Sequence, residues 1–141
     1  MGREARHGFQ PDHRAPGAAR RFTRSTLEQW ELSTLADTAE LLVSEVVTNA
    51  VGHASSGGEM VVSETGAGIR VEVSDYGAGV VQPRDAGPED VTGRGMAIVA
   101  ALSSRWGVAT VDDGKAAKVA AAKATRSRAT PSKTVWFELD R

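Results

Sequence analysis

No cysteine occurs in the 141 residues, which removes disulfides and cysteine-ligated metal sites from consideration. Aromatic residues make up only 5% of the chain and none lies in the basic stretch 115–133, so that stretch offers no platform for stacking bases. Direct nucleic-acid binding is not expected. No apolar run approaches the roughly eighteen residues that a membrane helix requires, and the amino-terminal MGREARHGFQPDHR lacks the apolar stretch of a secretory leader. A soluble, cytoplasmic protein with no membrane association is therefore expected. The length suits one domain with a real core and leaves no room for a second.

What is present is unevenly distributed. Residues 25–113 hold fourteen acidic against four basic side chains, while residues 1–24 hold six arginines against two acids and residues 115–133 hold six basic side chains and no acid. The net charge of −1 therefore hides an acidic centre between two basic segments, which can be simply solvated or can meet an acidic partner. Residues 1–16 read as a flexible basic segment and residues 17–141 as the folded domain. Within that domain lies KAAKVAAAKATRSRATPS, at about 114–132, where Val119 is the one aliphatic side chain larger than alanine. Such a segment can bury too little to offset its ordering entropy, and a mobile insert or an isolated surface helix is expected.

Periodicity supplies the elements. AARRFTRSTLEQW, residues 18–30, spaces Phe22, Thr26, Leu27 and Trp30 as an amphipathic helix would. A second helix is predicted from Ser33 or Thr34, either of which could cap it, to Ala54, with Asp37 in or near its first turn. EMVVSET and GIRVEVSD alternate about a Gly-Ala-Gly turn and predict a β-hairpin. Residues 77–95 are rich in glycine and proline and read as a long loop. MAIVAALSSR predicts a third helix, and WGVATVDD and KTVWFELD two more strands. The predicted class is α+β, a two-layer α/β sandwich in which helices cover one face of a mostly antiparallel sheet.

Three groups of residues stand out. On the second helix, Leu42, Val43, Val46, Val47, Ala39, Ala50 and Val51 fill one arc, and Glu45, Asn49 and His53 run along its edge. Taken alone, this line also fits two surface residues and a capping or core histidine. In the hairpin, Asp75 continues the inward row Ile69, Val71, Val73, where a carboxylate needs hydrogen-bond donors; alternatively the strand stops at Ser74 and Asp75 starts a turn with Gly77. Third, Gly93 and Gly95 stand before an apolar helix, a pattern that suits an anion, since glycines allow close approach and the first amides of a helix are unpaired. It is neither a dinucleotide fingerprint, which needs a third glycine and a leading strand, nor a P-loop, which needs Gly-Lys-Ser/Thr.

In chain order these groups resemble the ATP-binding motifs shared by histidine kinases, gyrase, a heat-shock chaperone and MutL, the GHKL superfamily with its Bergerat fold: E-x-x-x-N-A-x-x-H (Glu45, Asn49, Ala50, His53), D-x-G-x-G (Asp75, Gly77, Gly79) and G-x-G-[LM] (Gly93, Gly95, Met96). The AARRF, LLVSEVVTNAVGHA and KTVWFEL segments are similar to those of single-domain anti-sigma factor serine kinases, and the likeness covers nearly the whole chain. It implies that Asp75 takes the adenine amino group, that Asn49 is a magnesium ligand, that the backbone around Gly93, Gly95 and Met96 holds phosphates, and that Glu45 is the catalytic base. His53, Gly77 and Gly79 match the nucleotide motifs. Arg94, between the two glycines, is a better candidate than Arg84 to reach the terminal phosphate. The implied function is Mg-ATP-dependent phosphorylation of a serine or threonine on an antagonist (anti-anti-sigma) protein, with sequestration of a sigma factor and a possible homodimer. A nucleotide-gated binding module without phosphotransfer is the alternative. A detached histidine kinase catalytic domain ranks last, because the chain has no room for a phosphoacceptor helix pair.

Overall fold

The computed structural model describes residues 2–53, 57–75, 93–110 and 133–141. Along the chain these form β1 (Glu4–Phe9), α1 (Ala15–Gln29), a single 3₁₀ turn (Ser33–Leu35), α2 (Ala36–His53), β2 (Gly58–Glu64), β3 (Gly68–Asp75), α3 (Gly93–Leu102), β4 (Arg105–Thr110) and β5 (Lys133–Asp140). The strands make one sheet in the order β1-β2-β3-β5-β4, and every neighbouring pair is antiparallel. Three helices and one five-stranded sheet give the two-layer α+β sandwich that periodicity predicts. Among the described residues no helix is long and apolar enough to cross a membrane.

Alternation in the strands and the apolar arc of α2 meet in a single core. Met60, Val62, Ile69, Val71, Val73, Val135, Phe137 and Leu139 face Leu27, Leu42, Val43, Val46 and Val47, and all of them are buried. The other sheet face is held by charge. Arg70 donates to Glu72 and Glu138, each at 2.9 Å, and Arg105 donates to Glu138 at 2.6 Å, which holds the Glu138 carboxyl below its usual range through Arg105 first and Arg70 second. The Arg70 guanidinium also sits 4.1 Å from the Trp136 ring centroid, a cation–π contact. Gly107 leaves room for that ring, since a Cβ there would lie 2.8 Å from two of its atoms.

Helix boundaries differ from the periodic reading for local reasons. Ser33 and Thr34 lie in the 3₁₀ turn, whose first residues are preceded by Leu32 without a side-chain cap, and Asp37 falls in the first turn of α2. α1 ends in a Schellman arrangement: the Leu32 amide donates to the Leu27 carbonyl at 2.8 Å and the Glu31 amide to Glu28 at 3.1 Å. Glu31 takes the left-handed position at φ 62°, where glycine is the usual occupant. The third helix begins at Gly93 and ends at Leu102, so Arg105 belongs to β4. The Ser104 amide donates to the Glu138 carbonyl at 2.8 Å, which commits the chain to the sheet. The basic insert at about 114–132 lies outside the described residues.

The largest correction is at the amino terminus. Residues 1–16, read from the sequence as flexible, contain β1 and the start of α1. EARHGF alternates after all: Ala5, His7 and Phe9 turn inward while Glu4, Arg6 and Gly8 are exposed. The arginines and histidine mask a period-2 pattern that has value only beside a partner strand. Arg3 then clamps the strand, donating from Nε and Nη2 to the two Glu64 carboxyl oxygens at 2.9 Å each and lying 5.4 Å from the Trp30 ring centroid. That contact draws the Glu64 pKa down to about 2.

His7 makes this docking sensitive to acid. Its ring stacks on Phe22 with centroids 4.9 Å apart, its buried Nε2 has no hydrogen-bond partner among the described residues, and burial lowers its pKa from the ordinary 6.5. Below about pH 6.5 the unfolded chain takes up a proton more readily than the folded one, so stability is fully present above that pH and declines as pH falls toward the folded pKa. Urea midpoints should therefore fall between about pH 7 and about pH 5, and His7→Leu should flatten that slope. Equal slopes for the two proteins would assign the pH dependence to another group.

Candidate functional site

The polar edge of α2 meets the start of α3. Glu45 and Asn49 are both half-buried, one helical turn apart on the border of the buried Leu42–Val46–Ala50 arc. Gly95 lies directly against them: a Cβ built on Gly95 would stand 2.9 Å from Glu45 Oε1, 3.5 Å from Glu45 Cβ and 3.5 Å from Asn49 Nδ2. A side chain at 95 would displace the Glu45 carboxylate, so the glycine is what lets the start of α3 lie this close to it. The first amides of α3, a helix of ten residues, have no acceptor within the helix and carry its partial positive charge. Asn49 Nδ2 is buried without a hydrogen-bond partner among the described residues. A buried amide left this way is costly to folding, and its place beside a glycine-lined helix start suits a polar ligand carrying anionic oxygens.

A second part of the site is at one end of the sheet. Asp75, the last residue of β3, is 5% exposed. It does continue the inward row, since Ile69, Val71 and Val73 are 0 to 2% exposed; the alternative in which the strand stops at Ser74 is excluded. Its cross-strand neighbours are Gly58 on β2 and Lys133 on β5. Gly58 has no room for a side chain, because a Cβ there would lie 2.8 Å from Phe9 Cζ; the Phe9 ring therefore packs over that flank. Lys133 is half-buried, and burial lowers its pKa while the negative charge of Asp75 opposes that shift.

The other sequence-selected residues are placed only in part. His53 closes α2, and its side chain lies outside the description, as does that of Arg94 in the first turn of α3. Gly77, Gly79 and Arg84 also fall outside the described residues. Gly93 opens α3. Met96 is 2% exposed and belongs to the core with Val99, so only its backbone is available to a ligand. Lys133 is the residue to which sequence reasoning assigned no role. The alternation of KTVWFELD already sets it in line with Val135, Phe137 and Leu139, but its opposition to Asp75 follows from strand register. Among the described residues no group of three His, Asp or Glu side chains could hold a metal ion.

With this geometry in place, comparison with known proteins identifies a family: the one described as histidine kinase-like ATPase domain matches residues 9–122, a span that holds all three motifs. No curated protein matches the chain.

Proposed function

The chain belongs to the histidine kinase-like ATPase domain family, and from that premise we propose that it binds Mg-ATP and transfers the γ-phosphoryl group to a serine or threonine of an antagonist protein, while also sequestering a sigma factor. The observation that carries the nucleotide reading is the contact of Gly95 with Glu45 and Asn49, which joins a carboxylate, an amide and a helix start in one place. ATP would supply the transferable phosphoryl group. In this reading Asp75 accepts from the adenine amino group, the Asn49 side-chain oxygen is a magnesium ligand, the amides at the start of α3 and the Arg94 side chain meet phosphate oxygens, and Glu45 takes the proton from the attacking hydroxyl. Phosphoryl transfer asks mainly for such positioning, charge neutralisation and a placed base.

The specific partners are supported by the resemblance of the AARRF and LLVSEVVTNAVGHA segments to anti-sigma factor serine kinases. Incubation with γ-labelled ATP and candidate antagonist proteins tests the proposal, with label on an antagonist serine or threonine as the expected result. Tight ATP binding with no transfer to any antagonist would instead leave a nucleotide-gated binding module.

Asp75→Asn should lower ATP affinity at least about tenfold, or roughly 1.4 kcal/mol, because a neutral amide replaces a charged acceptor. Titration calorimetry with equal dissociation constants for both proteins would remove Asp75 from the adenine site.

A further inference from the structure

One row of residues crosses all five strands at a single end of the sheet: Phe9, Gly58, Asp75, Lys133 and Thr110 are successive register partners. Two of them carry charge on the face that β3 and β5 otherwise keep apolar. Asp75 follows Ile69, Val71 and Val73, and Lys133 precedes Val135, Phe137 and Leu139, all of which are buried. A lysine entering such a row bears a desolvation cost that an apolar residue would not, and burial does depress its pKa. Paired antiparallel residues hold their Cβ atoms about 4.5–5.5 Å apart. The row thus sets a carboxylate, an acceptor only, beside an ammonium, a donor only, with the Phe9 ring on the far side of Gly58.

A ligand edge that matches this pair must present a donor beside an acceptor. Adenine does so, with its exocyclic amino group next to ring N1. Guanine in the same orientation presents the reverse, O6 against the carboxylate and N1–H against the ammonium, so that both contacts become repulsive. Resting on the ATP-binding reading above, we infer that Lys133 is a base-reading residue whose ammonium donates to adenine N1 while Asp75 accepts from the amino group. The pair then selects adenine at two adjacent atoms. A site built to hydrogen-bond a particular ligand atom rejects analogues that lack it, because its buried polar group is left unpaired.

Calorimetry on the full chain with ATP, GTP and 1-deaza-ATP, in which a C–H replaces N1, tests this. The unmodified protein should bind ATP about tenfold or more tightly than either analogue. Lys133→Met, similar in length and without a donor, should bind ATP about tenfold more weakly and show less than about a twofold preference over 1-deaza-ATP; Lys133→Leu, also without a donor, substitutes if the methionine variant does not fold by circular dichroism. Equal affinity of the unmodified protein for ATP and 1-deaza-ATP overturns the inference, as does GTP binding as tight as ATP. So does a Lys133 variant that keeps the preference, or one that weakens both ligands equally, since the lysine would then act only through Asp75. In each of those cases ATP still binds and the nucleotide reading stands. Absence of ATP binding by the unmodified protein overturns both.

Discussion

Glu45→Ala should retain ATP binding and lose phosphotransfer by about a hundredfold or more, the size of effect that a placed general base contributes. The expectation follows from position. Glu45 Oε1 is the side-chain atom nearest the space above Gly95, at the helix start that would meet phosphate oxygens, and the Glu45 side chain is half-buried without belonging to the apolar core. Removing the carboxylate therefore takes away a proton acceptor and little packing. Single-turnover transfer of label from γ-labelled ATP to an antagonist protein, measured beside calorimetric affinity, separates the two quantities. Transfer at the parental rate would exclude Glu45 as the base. Loss of affinity in parallel with rate would make it a binding residue, because an interaction lost equally from ground and transition states does not change the chemical step.

The second large effect concerns the scaffold. Phe137→Ala should cost about 3–5 kcal/mol of unfolding free energy, a large share of the roughly 5–15 kcal/mol that holds a native domain. Phe137 is fully buried on β5, which sits between β3 and β4 in the sheet and holds Phe137 opposite Val71 on one side and Trp106 on the other. The cavity left by the ring is flanked on both sides by paired strands, so collapse can recover little of it. Val108, 45% exposed on the edge strand β4, is the control. Its alanine variant should change stability by about 0.5 kcal/mol or less. Urea denaturation of the three proteins checks this, and a Phe137→Ala loss comparable to that of Val108→Ala would mean that the centre of the sheet is not where the stability lies.

These two residues show different degrees of legibility. Phe137 was readable as core from KTVWFELD alone, because alternation places Val135, Phe137 and Leu139 on one face. Glu45 was readable as a member of a polar line on α2, but the same line fits a solvated helix border. The contact that favours a site is with Gly95, fifty residues further along the chain. No spacing within α2 reports it.

The amino terminus marks the same division from the other side. Arg6 and His7 make the segment look solvated, and its alternation yields a strand only when β2 supplies the ladder and Phe22 of α1 covers the His7 ring. Helical periodicity placed Val43, Val46 and Val47 on the buried arc of α2, while strand alternation offered Asp75 as a continuation of an inward row beside an equally open turn reading. By itself, then, the sequence determined the element types, the apolar faces and the three ordered motifs that place the chain in its family. The tertiary structure alone decided that β1 joins the sheet, that Gly95 presses on Glu45 and Asn49, and that Lys133 stands opposite Asp75. The physical reason is range: periodicity records which face a residue presents and is complete within a few neighbours, whereas strand register and helix–helix approach depend on partners far away in the chain, and a one-residue shift of strand register would send the same side chains to the other face.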